Sequence, residues 1–439
     1  MSETQAPINP SQGPSKQSLW PLILITSLFF FWGMANNLND VLIPQFKKAF
    51  SLTDLESGLV QSAFYAGYFI WAIPAGFLMR RFGYKAAIVT GLIFFALGAF
   101  LFYPAADIRQ YSLFLGALFI IASGLAFLET SANPLITVLG DAKHAAFRLN
   151  LAQAFNPLGS LVGIWVGKTF ILSGIEASEV AAKARLSASP SADALNAFHI
   201  AETKAVQIPY LVIGCIILAW ALLIALTKFS QSSEDKASPI SAPQASLLDL
   251  FKHKRFLLGV VAQFFYVGAQ VGLWSYTIRY AQAEIHISDK MAADYVFASL
   301  VIFAIGRFIG TGLMRFISPV LLLGVFAVIN IALSGTAASL GGQTGLYALV
   351  ACSAFMSIMF PTIFAVSVKD LGPLTKFGSS LLVMSIIGGA LLTLIMGHIS
   401  DLSAIKTALF VPVICFVVIA LFAFSAPKDK VTIEPSQGH

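Results

Sequence analysis

Twelve separate stretches of this chain are apolar over about 20 residues, the length that carries a helix across the hydrocarbon core of a bilayer. They begin near residues 19, 57, 86, 111, 149 and 207 and, after a polar break, near 256, 291, 319, 345, 377 and 407. No other feature limits the fold so severely. Backbone N–H and C=O groups in lipid must be satisfied internally, which leaves helices or closed barrels, and apolar runs this long without alternation are helices. Composition points the same way. Of 439 residues, 57% are hydrophobic and 11% charged, against roughly 25% charged in soluble domains, and the mean hydropathy is +0.82. The expected fold class is an all-α polytopic membrane protein.

The polar segments divide the chain. Residues 1–18 are Pro/Ser/Gln-rich and lack the basic start and apolar centre of a signal peptide, so they are expected to form a disordered cytoplasmic tail. A six-helix bundle follows at 19–228, then a Ser/Pro-rich, charged cytoplasmic linker at 229–255, a second six-helix bundle at 256–426 and a tail at 427–439. The stretch 174–206 is expected to be an exposed loop. Alternate loops collect the basic residues, including Arg80, Arg81, Lys85, Lys143, Arg148, Arg315, Lys369 and Lys376. That bias places both termini in the cytoplasm and the protein in a plasma membrane. The net charge of +6 is scattered among these loops, so it implies lipid orientation and no nucleic-acid partner. Cys215, Cys352 and Cys415 lie far apart in apolar runs without CxxC spacing, as packing residues do.

The halves echo one another. "AGFLMRRF" (75–82) closes the second span and "TGLMRF" (311–316) the eighth, while "ANPLI" (132–136) and "MFPTI" (359–363) occupy the fourth and tenth. Two six-helix repeats joined by a linker are the plan of the major facilitator fold, whose ligands bind near the midplane between the halves.

Three ionisable residues fall well inside spans: Asp40, Glu129 and Arg307. A charge at the bilayer centre costs at least ~2.5–3.5 kcal/mol, so such groups face partners or water-filled cavities. Asp40 either serves a transported ligand or caps a helix that breaks ahead of Pro44. Glu129 either titrates or makes an interhelical hydrogen bond. Arg307, toward the inner end of its span, reads as a structural gate that bonds helix ends.

In "FFFWGMANNLNDVL" (29–42), Asn36, Asn37 and Asp40 share one helical face, and Asn39 is rotated away. The fifth span carries Asn150, Gln153 and Asn156 as an i, i+3, i+6 stripe along one face, ahead of Pro157, and the seventh carries Gln270 and Trp274. Amides donate and accept while carboxylates accept, a set that suits sugar hydroxyls. Trp32 and Trp274 either stack on sugar faces or pack as interfacial aromatics. A cavity of amides, carboxylates and aromatics without basic groups points to a neutral polyhydroxy ligand. The carboxylates can also take up and release a proton, so the proton is the expected coupling ion and no cofactor is called for. No nucleophile–base constellation or metal cluster is present and the six histidines are scattered, so an enzyme is not expected. Two rivals remain. A drug–proton antiporter would want a wide apolar cavity, and a nutrient sensor on a transporter scaffold would want a signalling extension.

The blocks "ANNLND", "GLAFLETSANPLITVLG", "FRLNLAQAFN", "FYVGAQ" and "CSAFMSI" resemble the fucose–galactose–glucose:proton symporter family of the major facilitator superfamily, from about residue 20 to 425. The resemblance implies twelve helices and proton-coupled import of L-fucose or a similar neutral monosaccharide by alternating access, in a bacterial inner membrane and as a functional monomer. Glucose, galactose or N-acetylglucosamine are the alternative cargoes. It implies proton-coupling roles for Asp40 and Glu129. Sugar contacts are implied for Glu129, Gln153 and Asn156, and less directly for Asn37 and Trp274. Gly76 to Lys85 resembles the superfamily's loop signature with Arg80 where an Asp is usual, and Arg80 and Arg81 are expected to act structurally or in gating. The sequence departs from the family at Met359-Phe360, where a Gln-Tyr pair is expected, and that departure bears on which sugar is carried.

Overall fold

The computed structural model describes residues 19–52, 54–138, 142–173, 180, 191–227, 247–287 and 289–425. Both tails and residues 229–246 of the linker lie outside these. The described part of the linker forms a short 3₁₀ turn, Leu247–Lys252.

Among the described residues twelve helical segments are long enough to span a bilayer, and no strand occurs. They are α1 (Leu19–Phe50), α2 (54–82), α3 (84–108), α4 (Tyr111–Val138), α5 (145–171) and α6 (Gln207–Leu226), then α7 (Lys254–Ile285), α8 (Asp289–Leu313), α9 (Pro319–Leu340), α10 (Gly342–Val368), α11 (Gly372–Leu402) and α12 (Ile405–Phe424). α2 and α3 abut at Gly83, whose φ of 85° and ψ of 173° suit glycine alone among common residues. α5 is interrupted by a turn at Ala154 and ends in wide π-helical turns. With an even number of crossings the first and last described helix ends, Leu19 and Phe424, stand at one end of the bundle, here the termini end.

The helices are apolar nearly all round. Outward residues such as Phe69, Ile70, Leu222 and Leu226 are exposed, as lipid-facing side chains are. Inside, each half has its own apolar core, but the first half's core continues into Phe364, Leu374 and Phe377 of the second. α1 meets α5 through small residues. A Cβ at Gly33 would collide with the backbone of Asn156, so glycine sets this close approach, as small residues commonly do between membrane helices.

The contacts that join the halves gather at the termini end. Phe77 meets Phe377 edge-on at 5.1 Å, Arg80 lies over the same ring at 5.4 Å, and Lys376 lies over Tyr84 at 5.1 Å. Arg315 covers Phe147 at 5.3 Å, and Asn150 donates to Thr362 Oγ1 at 3.1 Å. The bundle is therefore sealed at the end that carries the termini and the basic loops.

One expectation changes. Residues 191–204 of the presumed exposed loop form a helix docked on the far end of α1. Gln45 donates to both the backbone oxygen and Oε2 of Glu202 at 2.8 Å, and Glu202 and Thr203 are buried. Polar composition suggested solvent, but a polar helix capping a helix end is also satisfied by hydrogen bonds.

Candidate transport site

α1 does not break at Pro44 but runs on to Phe50, so Asp40 is no helix cap. Its side chain is exposed, and Oδ1 accepts a hydrogen bond from Gln61 Nε2 of α2 at 2.8 Å. Gln61 Oε1 accepts in turn from Asn39 Nδ2 at 3.1 Å. Asn39, rotated away from the Asn36–Asp40 face, thus fixes the amide that holds Asp40. Asn37 turns its amide nitrogen to Gly33 O of its own helix at 3.0 Å and is half-buried.

Glu129 on α4 is 1% exposed, and neither carboxyl oxygen has a hydrogen-bond partner. An unpaired ionised carboxylate is costly in such surroundings, so this is a place for a proton or for a ligand hydroxyl. Around it sit further buried polar atoms without partners: Trp32 Nε1, Tyr68 OH and Asn133 Nδ2. Tyr68 lies beside Trp32 and Asn36 and within electrostatic reach of Glu129.

Gln153 is buried, and its Nε2 donates to Asn133 Oδ1 at 2.9 Å. Asn156 is half-buried beside Gly33. Asn150 does not join them. Its amide goes to Ala146 O and across to Thr362 on α10. Steps of three residues on a 3.6-residue helix fan round by about 60° each, so the apparent stripe divides between two neighbours. From the second half, Trp274 donates to Ser353 Oγ at 3.1 Å and packs edge-on against Phe303 at 5.0 Å. Gln270 stands half-buried one turn away. Phe360 faces both Trp32 and Tyr266, at 6.4 and 6.2 Å, so the departure at Met359-Phe360 falls where the halves meet.

Arg307 is buried and bridges the halves. Nε donates to Ser357 O on α10 at 2.5 Å, and Nη1 donates to Gln153 O on α5 at 3.0 Å. The reason lies four residues on. Pro361 and Pro157 lack amide hydrogens, so in a helix the carbonyls of Ser357 and Gln153 have no backbone donor. One guanidinium satisfies both and lies over Phe303 at 4.7 Å. Arg80 and Arg81 are exposed at the termini end. Arg80 touches the other half through Phe377, and Arg81 stays on Phe82.

The sequence reading missed Gln61, Tyr68 and Asn133. The signals were there: Asn133 is i+4 from Glu129, and Gln61, Tyr65 and Tyr68 fall at i, i+4 and i+7 in an apolar span.

A family model of the Major Facilitator Superfamily matches residues 24–373. The chain belongs to that superfamily. A crystal structure of the superfamily member FucP in the outward conformation superposes with a TM-score of 0.83 at 47% identity, covering 93% of this chain and 99% of the other. The chain is 48% identical to the L-fucose-proton symporter of Escherichia coli (strain K12), over 95% of each protein. It is 36% identical to a glucose/galactose transporter of Brucella abortus, over 97% of this chain and 98% of that one. Like other members of the superfamily it is a multi-pass membrane protein.

Proposed function

We propose that this protein is a proton–sugar symporter, and not an enzyme, that imports L-fucose by alternating access across a bacterial inner membrane. The observation that carries the proposal is the pair of interior acids. Asp40 is accessible and held by an amide, and Glu129 is buried with both oxygens unpaired. Full-length likeness to an L-fucose-proton symporter supports the same reading.

Asp40 and Glu129 handle the proton. Glu129, Gln153 and Asn156 bind sugar hydroxyls, Asn37 and Gln270 add amide contacts, and the Trp274 ring supports a sugar face. No cofactor takes part, and a single chain in its bilayer suffices. Arg307 holds the termini end shut by tying α5 to α10, with Arg80 contributing and Arg81 flanking. With the termini cytoplasmic, the end sealed in this state faces inward. Sugar and proton enter from outside, the Arg307 ties part, the halves rock, and both are released within.

The cargo D-glucose or D-galactose is a second reading. It is favoured by Met359-Phe360 in place of the Gln-Tyr pair and by the likeness to a glucose/galactose transporter. The deciding experiment follows external pH in lightly buffered, de-energised cells as sugars are added. Alkalinisation with L-fucose but not with D-galactose, D-glucose or N-acetylglucosamine is expected. A response to glucose or galactose instead selects the second reading. Radiolabelled uptake without any pH change would defeat proton coupling.

A further inference from the structure

The two acids stand at different depths. Counting 1.5 Å per residue from the end of the bundle opposite the termini, Asp40 lies about 15 Å in and Glu129 about 27 Å in. One is exposed and the other sealed. α2 runs between these depths with three polar side chains on one face, Gln61, Tyr65 and Tyr68, spaced i, i+4 and i+7. By the same count they stand about 10, 17 and 21 Å in.

Their contacts follow that order. Gln61 grips Asp40 at 2.8 Å, and its amide cannot flip while Asn39 donates to its oxygen. Tyr65, half-buried, lies within electrostatic reach of Asp40. Tyr68, buried with its hydroxyl unpaired, lies within electrostatic reach of both Tyr65 and Glu129. Trp32 and Asn36 of α1 complete its surroundings. A phenol hydroxyl donates one hydrogen bond and accepts others, which is what a relay element needs.

We propose that Tyr65 and Tyr68 form a hydroxyl relay on α2 that conducts the proton between Asp40 and Glu129. This rests on the proton-symport reading above. In the inward step, the Asp40 carboxyl gives its proton to the Tyr65 oxygen, directly or through water, as Tyr65 passes its own hydrogen onward. Tyr68 receives that proton and yields its hydroxyl hydrogen to a Glu129 oxygen. Each phenol breaks one O–H bond and forms one, so no charge stays on the relay. Asp40 ends ionised and Glu129 neutral. Tyr68 is therefore a proton-transfer residue and Gln61 a positioning residue that aims Asp40 at the relay.

The test uses the whole protein in proteoliposomes, with Tyr68→Phe and Tyr65→Phe compared with wild type. Sugar counterflow at equal pH needs no net proton movement, whereas accumulation driven by a pH gradient does. Tyr68→Phe is expected to keep counterflow within about twofold of wild type while gradient-driven accumulation falls about 100-fold, the lower end for loss of a proton-transfer group. Tyr65→Phe is expected to show the same split more weakly. Gradient-driven accumulation at wild-type level in both variants overturns the relay. So does a parallel loss of counterflow and accumulation in Tyr68→Phe at an unchanged melting temperature, since that marks a sugar contact. If Tyr68→Phe melts early, the Tyr65→Phe split decides alone. Wild-type protein that exchanges sugar but ignores the pH gradient would instead remove the symport reading itself.

Discussion

The first six helices carry two acids into the membrane interior, Asp40 and Glu129, whereas the last six carry Arg307 and, among the described residues, no buried acid. Both halves repeat the same apolar pattern because both must dissolve in lipid. They do not repeat the ionisable groups, since each charge inside a bilayer is costly and persists only where it has a partner or a task. The acids meet amides and hydroxyls of their own half: Gln61 for Asp40, Tyr68 and Asn133 around Glu129. Arg307 reaches across to Gln153 O. On the proposed reading, proton chemistry belongs to one half, and closure depends on the other half gripping it.

The largest expected effect tests the first half. Glu129→Gln keeps the shape but removes the titrating group, so sugar-linked alkalinisation should fall about 100-fold or more, with counterflow retained. Persistent alkalinisation would move the coupling site elsewhere. Arg307→Ala tests the second. Hydrogen bonds to charged groups contribute about 1.5–3 kcal/mol each, so the balance should shift about 10–100-fold toward opening at the termini end. Spin labels at Phe82→Cys and Phe316→Cys, in a background with the native cysteines replaced, would report this as a longer, broader distance. An unchanged distance would make the arginine a local brace.

Asp40→Asn is expected to be milder than Glu129→Gln, with a smaller fall in uptake and loss of its dependence on external pH; equal losses would erase the distinction between an exposed and a sealed acid. Trp274→Phe removes the bond to Ser353 Oγ, a change of about 0.5–1.5 kcal/mol, and should raise the sugar concentration for half-maximal counterflow several-fold. Smallest is Arg80→Ala. A cation–ring contact at an exposed site contributes about 0.5–1 kcal/mol, so the spin-label distance should shift only slightly.

Much of this protein was legible in its sequence. The twelve crossings were visible because transfer into lipid sums along consecutive residues, and the observed helix starts fall within a few residues of the apolar runs. Asp40 and Glu129 stood out because acids in such runs are rare. The prolines at 157 and 361 were equally plain. What could not be read was that one arginine would supply both of the carbonyls they strand, since Gln153 and Ser357 lie on different helices of different halves. The docking of 191–204 on α1 was hidden for a similar reason, because Gln45 and Glu202 are partners far apart in the chain.

The sequence by itself determined the membrane class, the twelve helices, the twofold plan and the residues whose charge demands an explanation. Tertiary structure alone decided which acid is exposed and which sealed, that Asn39 serves Gln61, and that Asn150 leaves the site for Thr362 while Gln153 stays. The physical reason is range. Hydrophobic transfer acts locally and tolerates small displacements, whereas a hydrogen bond weakens steeply once its distance and angle depart from a narrow optimum. Helix packing sets those distances, and no single stretch of sequence contains them.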